Sequence, residues 1–354
     1  PVQAPGRHLP PMRHLPLLLA LALTSCGLHA ANYAQRDDVQ AFVADMQVRH
    51  GLNAEVLTEL FRRTKPVPAV IKAIMPPKDP GVRSWQAYRG RFVEPKRIAA
   101  GRRFMQTWAV QLASAEEGFG VPAEVIAAII GVETIYGRQL GRFNTFAALT
   151  TLAFDYPPRA ELFRKELEEL LLLAREEDRS PLGYTGSYAG AMGLPQFLPS
   201  SRRRFAVDFD RDDRVDLTAS PADAIGSVAN FLAAHGWERH APIAVSVDVS
   251  GEGIQALIDE GITPRHTPQQ MAAARVEIST VMTPAEPGTA SEKVGAGDTA
   301  IPDRPAALID LVTPGAATEY RLGYGNFYVI TRYNRSSFYA AAVMDLAAVL
   351  RASK

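Results

Sequence analysis

Apolar residues recur three and four positions apart along much of the chain, the spacing of amphipathic helices. Residues 32–112 read as a helical N-terminal domain broken by Pro66-Val67-Pro68 and Met75-Pro76-Pro77. From 113 to 238 helix follows helix. Pro122 stands at a first-turn position, Glu161 to Glu177 carries a leucine-rich face, and Ser220-Pro221-Ala222-Asp223 has the form of an N-cap followed by proline. After Trp237 the period changes, and residues 243–249 (IAVSVDV) alternate as a strand does. Residues 284–304 are rich in Pro, Gly, Ala and Thr and predict a mobile loop. Phe327-Tyr328-Val329-Ile330 reads as a strand, with a final helix from Ser337 to Arg351. The expected fold is mainly α (α+β). A small β-containing domain over 239–325 is inserted in a helical core, which 326–354 completes.

The first residues follow another rule. Met12-Arg13-His14 is basic, and residues 15–23 (LPLLLALAL) form an apolar run shorter than the roughly 20 residues needed to span a bilayer. This is the pattern of a signal peptide, with residues 1–11 an extension ahead of Met12. Leu23-Thr24-Ser25-Cys26 resembles the bacterial lipobox, whose cysteine is lipidated; an unmodified thiol in an ordinary cleaved signal is the alternative. Cys26 is the only cysteine among 354 residues, so no disulfide forms within the chain. With 38 basic and 38 acidic side chains, no global field points to nucleic acid.

Candidate chemistry gathers in three segments. In Val121 to Gly137, Ile126, Ile129 and Ile130 define an apolar helix face whose next member is Glu133. Burial raises a carboxyl pKa, as a general acid at neutral pH requires, although a glutamate so placed is also often just salt-bridged. Gly131 and Gly137 flank it, so close approach or a helix end is expected there. Gly183 to Pro199 sets four glycines and the polar Ser187 and Gln196 among aromatics, which suits a groove floor or a plain glycine-rich loop. Asp208 to Asp216 places carboxylates at loop positions 1, 3, 5 and 9 (Asp208, Asp210, Asp212, Asp216), with the Arg214 carbonyl at position 7. That is the front half of a calcium loop, but Asp213 replaces the glycine of position 6 and Ala219 the glutamate of position 12. A solvated acidic turn balanced by nearby arginines is the alternative.

GVETIYG at 131–137, residues 148–167, GSYAGAMGLPQFLPSS at 186–201 and ITRYNRSSFYA at 330–340 resemble the B-type membrane-bound lytic murein transglycosylases, from about residue 38 to the C-terminus. The resemblance implies a lysozyme-like core that cleaves the β-1,4 bond between N-acetylmuramic acid and N-acetylglucosamine in peptidoglycan. It makes Glu133 the catalytic acid/base, places Ser187 and Gln196 in the groove, and adds Tyr88, Tyr333, Asn334 and Tyr339 to the cleft. From the residues alone, Tyr333 and Tyr339 are core or edge aromatics. The resemblance also implies that Asp223 closes a longer Ca²⁺ loop with Asp208, Asp210, Asp212 and Arg214; as read from the sequence, Asp223 equally suits the start of the next helix. Most glycosidases use two carboxylates, and Glu116, Glu117 and Asp155 are spare, but none lies in a motif marking it as the partner. The expected partners are peptidoglycan strands, the membrane through Cys26 and other cell-wall enzymes. With Gly27 after the cysteine, the family pattern places the anchor in the outer membrane, facing the periplasm. A non-catalytic peptidoglycan-binding scaffold and a water-using muramidase are the competing functions.

Overall fold

The computed structural model describes residues 32–76, 83–282 and 301–352. Cys26 and most of the loop expected at 284–304 lie outside them. Three helices come first, α1 (Asp37–His50), α2 (Ala54–Arg63) and α3 (Pro68–Ile74). The turns between them follow from Gly51 in the left-handed region, the Asn53 side-chain cap, and prolines 66 and 68. Next come α4 (Trp85–Phe92), α5 (Pro95–Thr107), α6 (Ala109–Phe119) and α7 (Ala123–Thr134). Pro122 sits one residue ahead of α7, and the Glu116 carboxylate caps that helix instead, accepting from Ala123 N at 3.1 Å.

A two-residue ladder, β1 (Phe143–Asn144) with β2 (Thr185–Gly186), brackets α8 (Thr145–Asp155) and α9 (Ala160–Glu176). Then follow α10 (Pro199–Phe205) and α11 (Pro221–Ala234), the latter capped by Ser220 as expected. The expected insertion is an antiparallel sheet in the order β4-β3-β6-β5, with β3 (Ala244–Ser250), β4 (Glu277–Met282), β5 (Ala307–Leu311) and β6 (Glu319–Gly323). The short helices α12 (Ile254–Asp259) and α13 (Pro268–Ala273) cover it. The chain closes with α14 (Gly325–Tyr333) and α15 (Ser337–Arg351).

Residues 327–330 are therefore helical, not a strand. Four consecutive apolar residues carry no period of their own. Here Phe327, Val329, Ile330 and Thr331 are all buried, so burial does not alternate as it would in a strand with one wet face.

Three apolar cores result. Helices α1–α3 pack with α8 and α9 around Phe61, Phe146 and Leu167. Residues of α4–α7, α11, α14 and α15 form the largest core, with α7 buried on nearly every side from Ala123 to Val132. The sheet and its helices enclose Val247, Leu257, Met271 and Leu322. The Asp345 carboxylate of α15 lies between Arg89 of α4 (2.5 Å) and Arg321 of β6 (2.8 Å), both Asp345 and Arg321 being buried. This ionic link ties the α4 and α15 sides of the site to the sheet.

Candidate active site

Glu133 occupies the last turn of α7, where the helix leaves the core. Ile135, Tyr136 and Gly137 all have positive φ (52°, 55° and 89°), so the helix stops within two residues of the carboxylate. Left-handed backbone is costly for β-branched Ile135. Packing of Tyr136 holds it: a Cβ on Gly131 would lie 2.4 Å from the Tyr136 Oη, and one on Gly101 of α5 would also strike it. Gly131 thus provides room for an aromatic ring, the close approach its place beside Glu133 suggested. Thr134, fully buried, bonds the Leu194 carbonyl at 3.0 Å and accepts from Gly137 N at 3.1 Å, fastening this turn to the glycine-rich segment.

The Glu133 residue keeps partial solvent access, yet its carboxyl is enclosed by protein, and that desolvation pushes its pKa up to about 7. Tyr339 of α15 donates a 2.6 Å hydrogen bond to Oε1, which opposes the rise by favouring the charged form. Among the described residues no second carboxylate contributes to the shift. Asp155 is instead paired with Arg36 at 2.5 Å and bonded by Tyr33, and Glu116 caps α7.

The Tyr339 ring lies nearly parallel to that of Tyr333 at 6.4 Å, and Tyr333 donates to the Pro195 carbonyl at 2.6 Å. Burial and the Glu133 charge hold both phenols well above their usual pKa, so both stay protonated donors. Tyr88 of α4 also senses the Glu133 charge and packs on Phe92 and Phe338. Glu133, Tyr88, Tyr333 and Tyr339 therefore form one cluster.

Ser187 and Gln196 belong to the glycine-rich segment that Thr134 fastens to the end of α7. Ser187 exchanges hydrogen bonds with Ala191, its N donating to Ala191 O (2.8 Å) and its Oγ accepting from Ala191 N (3.1 Å). Gln196, with φ of 50°, donates from Nε2 to Gly193 O (2.9 Å) and Leu140 O (3.3 Å). Asn334 is exposed at the end of α14. Among the described residues no hydrogen bond joins Asn334, Ser187 or Gln196 to Glu133.

The acidic loop folds between α10 and α11. Carboxylate oxygens of Asp208, Asp210 and Asp212 come within 4.8 Å of one another, a grouping of hard oxygen donors that suits Ca²⁺. Asp213 takes φ of 66°, so it meets the conformational demand normally filled by glycine, as Asp does more readily than most residues. Asp223 is outside that trio. Its two oxygens accept from Phe209 N (2.8 Å) and Asp216 N (2.7 Å), pinning both ends of the loop to the start of α11. Asp216 caps the turn by accepting from Thr218 N and Ala219 N, and Arg214 N donates to Asp212.

Tyr136, Thr134 and Asp345 were not singled out by pattern. A signal existed for two of them: glycines at 101 and 131 leave space that another side chain must fill, and Asp345 interrupts an apolar stretch of α15; Thr134 had none.

The family described as "Transglycosylase SLT domain" matches residues 34–348. Membrane-bound lytic murein transglycosylase B of Escherichia coli (strain K12) is 36% identical over 324 residues, covering 89% of this chain and 83% of that protein. The crystal structure of soluble lytic transglycosylase SltB1 from Pseudomonas aeruginosa superposes with a TM-score of 0.78 at 41% identity, covering 89% of this chain and 99% of that one. The Escherichia coli lytic transglycosylase Slt35, solved in complex with calcium, superposes with a TM-score of 0.73 at 35% identity over 91% of this chain and 95% of its own. The lysozyme-like helical fold, the cluster around Glu133 and these likenesses agree: the chain belongs to the B-type lytic murein transglycosylases, lyases that cleave peptidoglycan.

Proposed function

We propose that Glu133 performs both proton transfers of glycan cleavage, between N-acetylmuramic acid and N-acetylglucosamine. Its carboxyl protonates the glycosidic oxygen as the bond to C1 breaks, and its carboxylate then takes the proton of the muramyl C6 hydroxyl as that oxygen attacks C1. The product is a 1,6-anhydromuramyl end, and no water is consumed. The observation that carries this reading is a single carboxyl raised to about 7 by burial, with no second carboxylate acting on it. Such a group is present in both protonation states near neutral pH. An attacker within the same sugar has a high effective molarity, so one acid/base suffices. Tyr339 orients the carboxylate, Tyr88 and Tyr333 wall the cleft, and Ser187, Gln196 and Asn334 contact the sugars; Ser187 and Asn334 hold the N-acetyl group.

Glu133→Gln is expected to lower cleavage at least about 10³-fold, since general acid–base help contributes roughly 10²–10⁴ and one group here supplies both halves. Reducing-end analysis of digested sacculi checks this. Anhydro ends from wild type and none from the variant fit the proposal; ordinary reducing ends mean a muramidase, and no cleavage by wild type means a scaffold.

The same reading gives the catalytic unit as residues 113–238 with 326–354, and the sheet region 239–325 as a domain inserted in it. It places Ca²⁺ on Asp208, Asp210, Asp212 and the Arg214 carbonyl, with Asp223 closing the loop, in a structural role. It anchors the protein to the outer membrane through lipid on Cys26.

A further inference from the structure

Beyond the Glu133 cluster, a second concavity of about 300 Å³ opens between α10, the end of α11 and the end of α14. It shares Gln196 and Tyr333 with the cleft and is otherwise lined by Arg204, His235 and Arg332 among serine and aromatic groups. Its size is at the low end of the roughly 300–1,000 Å³ typical of ligand pockets. No carboxylate lines it. Glu166 is buried behind Ser200, accepting from its N (3.0 Å) and Oγ (2.7 Å). Neither Arg204 nor Arg332 has an ion-pair partner among the described residues, and the Arg332 Nε is buried without a hydrogen-bond partner. His235 bonds the Phe231 carbonyl through Nδ1 (2.6 Å), which leaves Nε2 for other contacts. Arg332 also donates to the Thr331 hydroxyl (3.2 Å), and Glu166 reaches Arg204 only electrostatically, from behind the wall. A pocket lined by two guanidinium groups outside any ion pair, beside a glycan cleft, fits an anion carried by the glycan itself.

We propose that this pocket takes carboxylates of the peptide attached to the muramyl lactyl ether, making Arg204 and Arg332 determinants of specificity for peptide-bearing strands. This rests on the transglycosylase reading of Glu133. The guanidinium fork matches a carboxylate in a way that lysine does not. Arg332 already stacks over Tyr328 (4.1 Å to the ring centroid), which limits the freedom lost on binding.

The test compares sacculi with the same strands stripped of peptides by an amidase, following anhydro-end formation by wild type, Arg204→Gln, Arg332→Gln and Arg332→Lys. Wild type is expected to favour peptide-bearing strands. Each Gln variant should raise KM on them about ten- to hundredfold, the scale of one charge-assisted hydrogen bond, with stripped strands little affected. Arg332→Lys keeps the charge and guards against misfolding of the Gln variant; it should recover part of the loss. Equal losses on both substrates, or a wild type indifferent to the peptide, would overturn the assignment while leaving the Glu133 mechanism standing. A wild type forming no anhydro ends on either substrate would remove both.

Discussion

At the scale of single residues the site is a contest over one proton. Burial favours neutral Glu133 and the Tyr339 hydroxyl favours the anion, with burial prevailing. Removing the hydroxyl by Tyr339→Phe should push the carboxyl pKa further up. In kcat/KM the limb that falls as pH rises past about 7 should then move to higher pH, with activity down about tenfold for the lost bond. A pH–rate profile superimposable on wild type would refute the role given to Tyr339. Stability carries the same signature. The folded carboxyl holds a proton that the unfolded chain, near 4.5, has already released, so stability declines as pH rises from about 4.5 to about 7 and is level beyond. At roughly 1.4 kcal/mol per pH unit this costs at most about 3.5 kcal/mol, a strain that the Glu133→Gln protein should escape. That Glu133 lies on the apolar face was legible from its spacing with Ile126 and Ile130. The contacts of Tyr339, 206 positions away, were not, because periodicity places a residue on a face without naming what crosses it.

Among elements, most of those with local signals were read correctly, Pro122 being one position off, and those without were not. Ser220 caps α11, residues 243–249 enter a strand, and α15 begins at Ser337. Residues 327–330 went wrong because propensity favoured a strand while burial on several sides stabilises α14. The acidic loop is intermediate: its spacing was visible, but the attachment of Asp223 to Phe209 and Asp216 appears only in three dimensions. That attachment already orders the loop, so a cation would find Asp208, Asp210 and Asp212 gathered in advance. If Ca²⁺ binds only the folded protein, stability should rise by about 2.7 kcal/mol at a hundredfold excess over Kd. Magnesium should do much less, since it demands tight octahedral geometry and sheds water reluctantly. Melting after chelation, then in millimolar calcium or magnesium at constant ionic strength, decides the matter. Equal midpoints would mean that Arg211, Arg214 and their neighbours balance the loop instead.

For the whole molecule, the order of helical regions and inserted sheet followed from changes of period, whereas the docking of α1–α3 against α8 and α9, over a hundred positions on, did not. Long-range packing depends on shape, which binary pattern does not encode. Every residue assigned to the cleft, the pocket beside it and the acidic loop lies within 83–352, and the cleft rests on the core of α4–α7, α11, α14 and α15. Among the described residues no helix is long and apolar enough to cross a membrane. An anchor at Cys26 would therefore position the enzyme without contributing to its site. A single lipid chain holds a protein only marginally, so stable attachment needs more than one acyl group, as a lipidated N-terminal cysteine provides. Cys26→Ala is then expected to leave the membrane fraction while keeping wild-type kcat and KM on soluble glycan strands. Metabolic labelling with a palmitate analogue reads the modification directly. Equal labelling of Cys26→Ala and wild type would refute lipidation at this residue, and loss of turnover in a folded Cys26→Ala protein would show that the anchor reaches the chemistry after all.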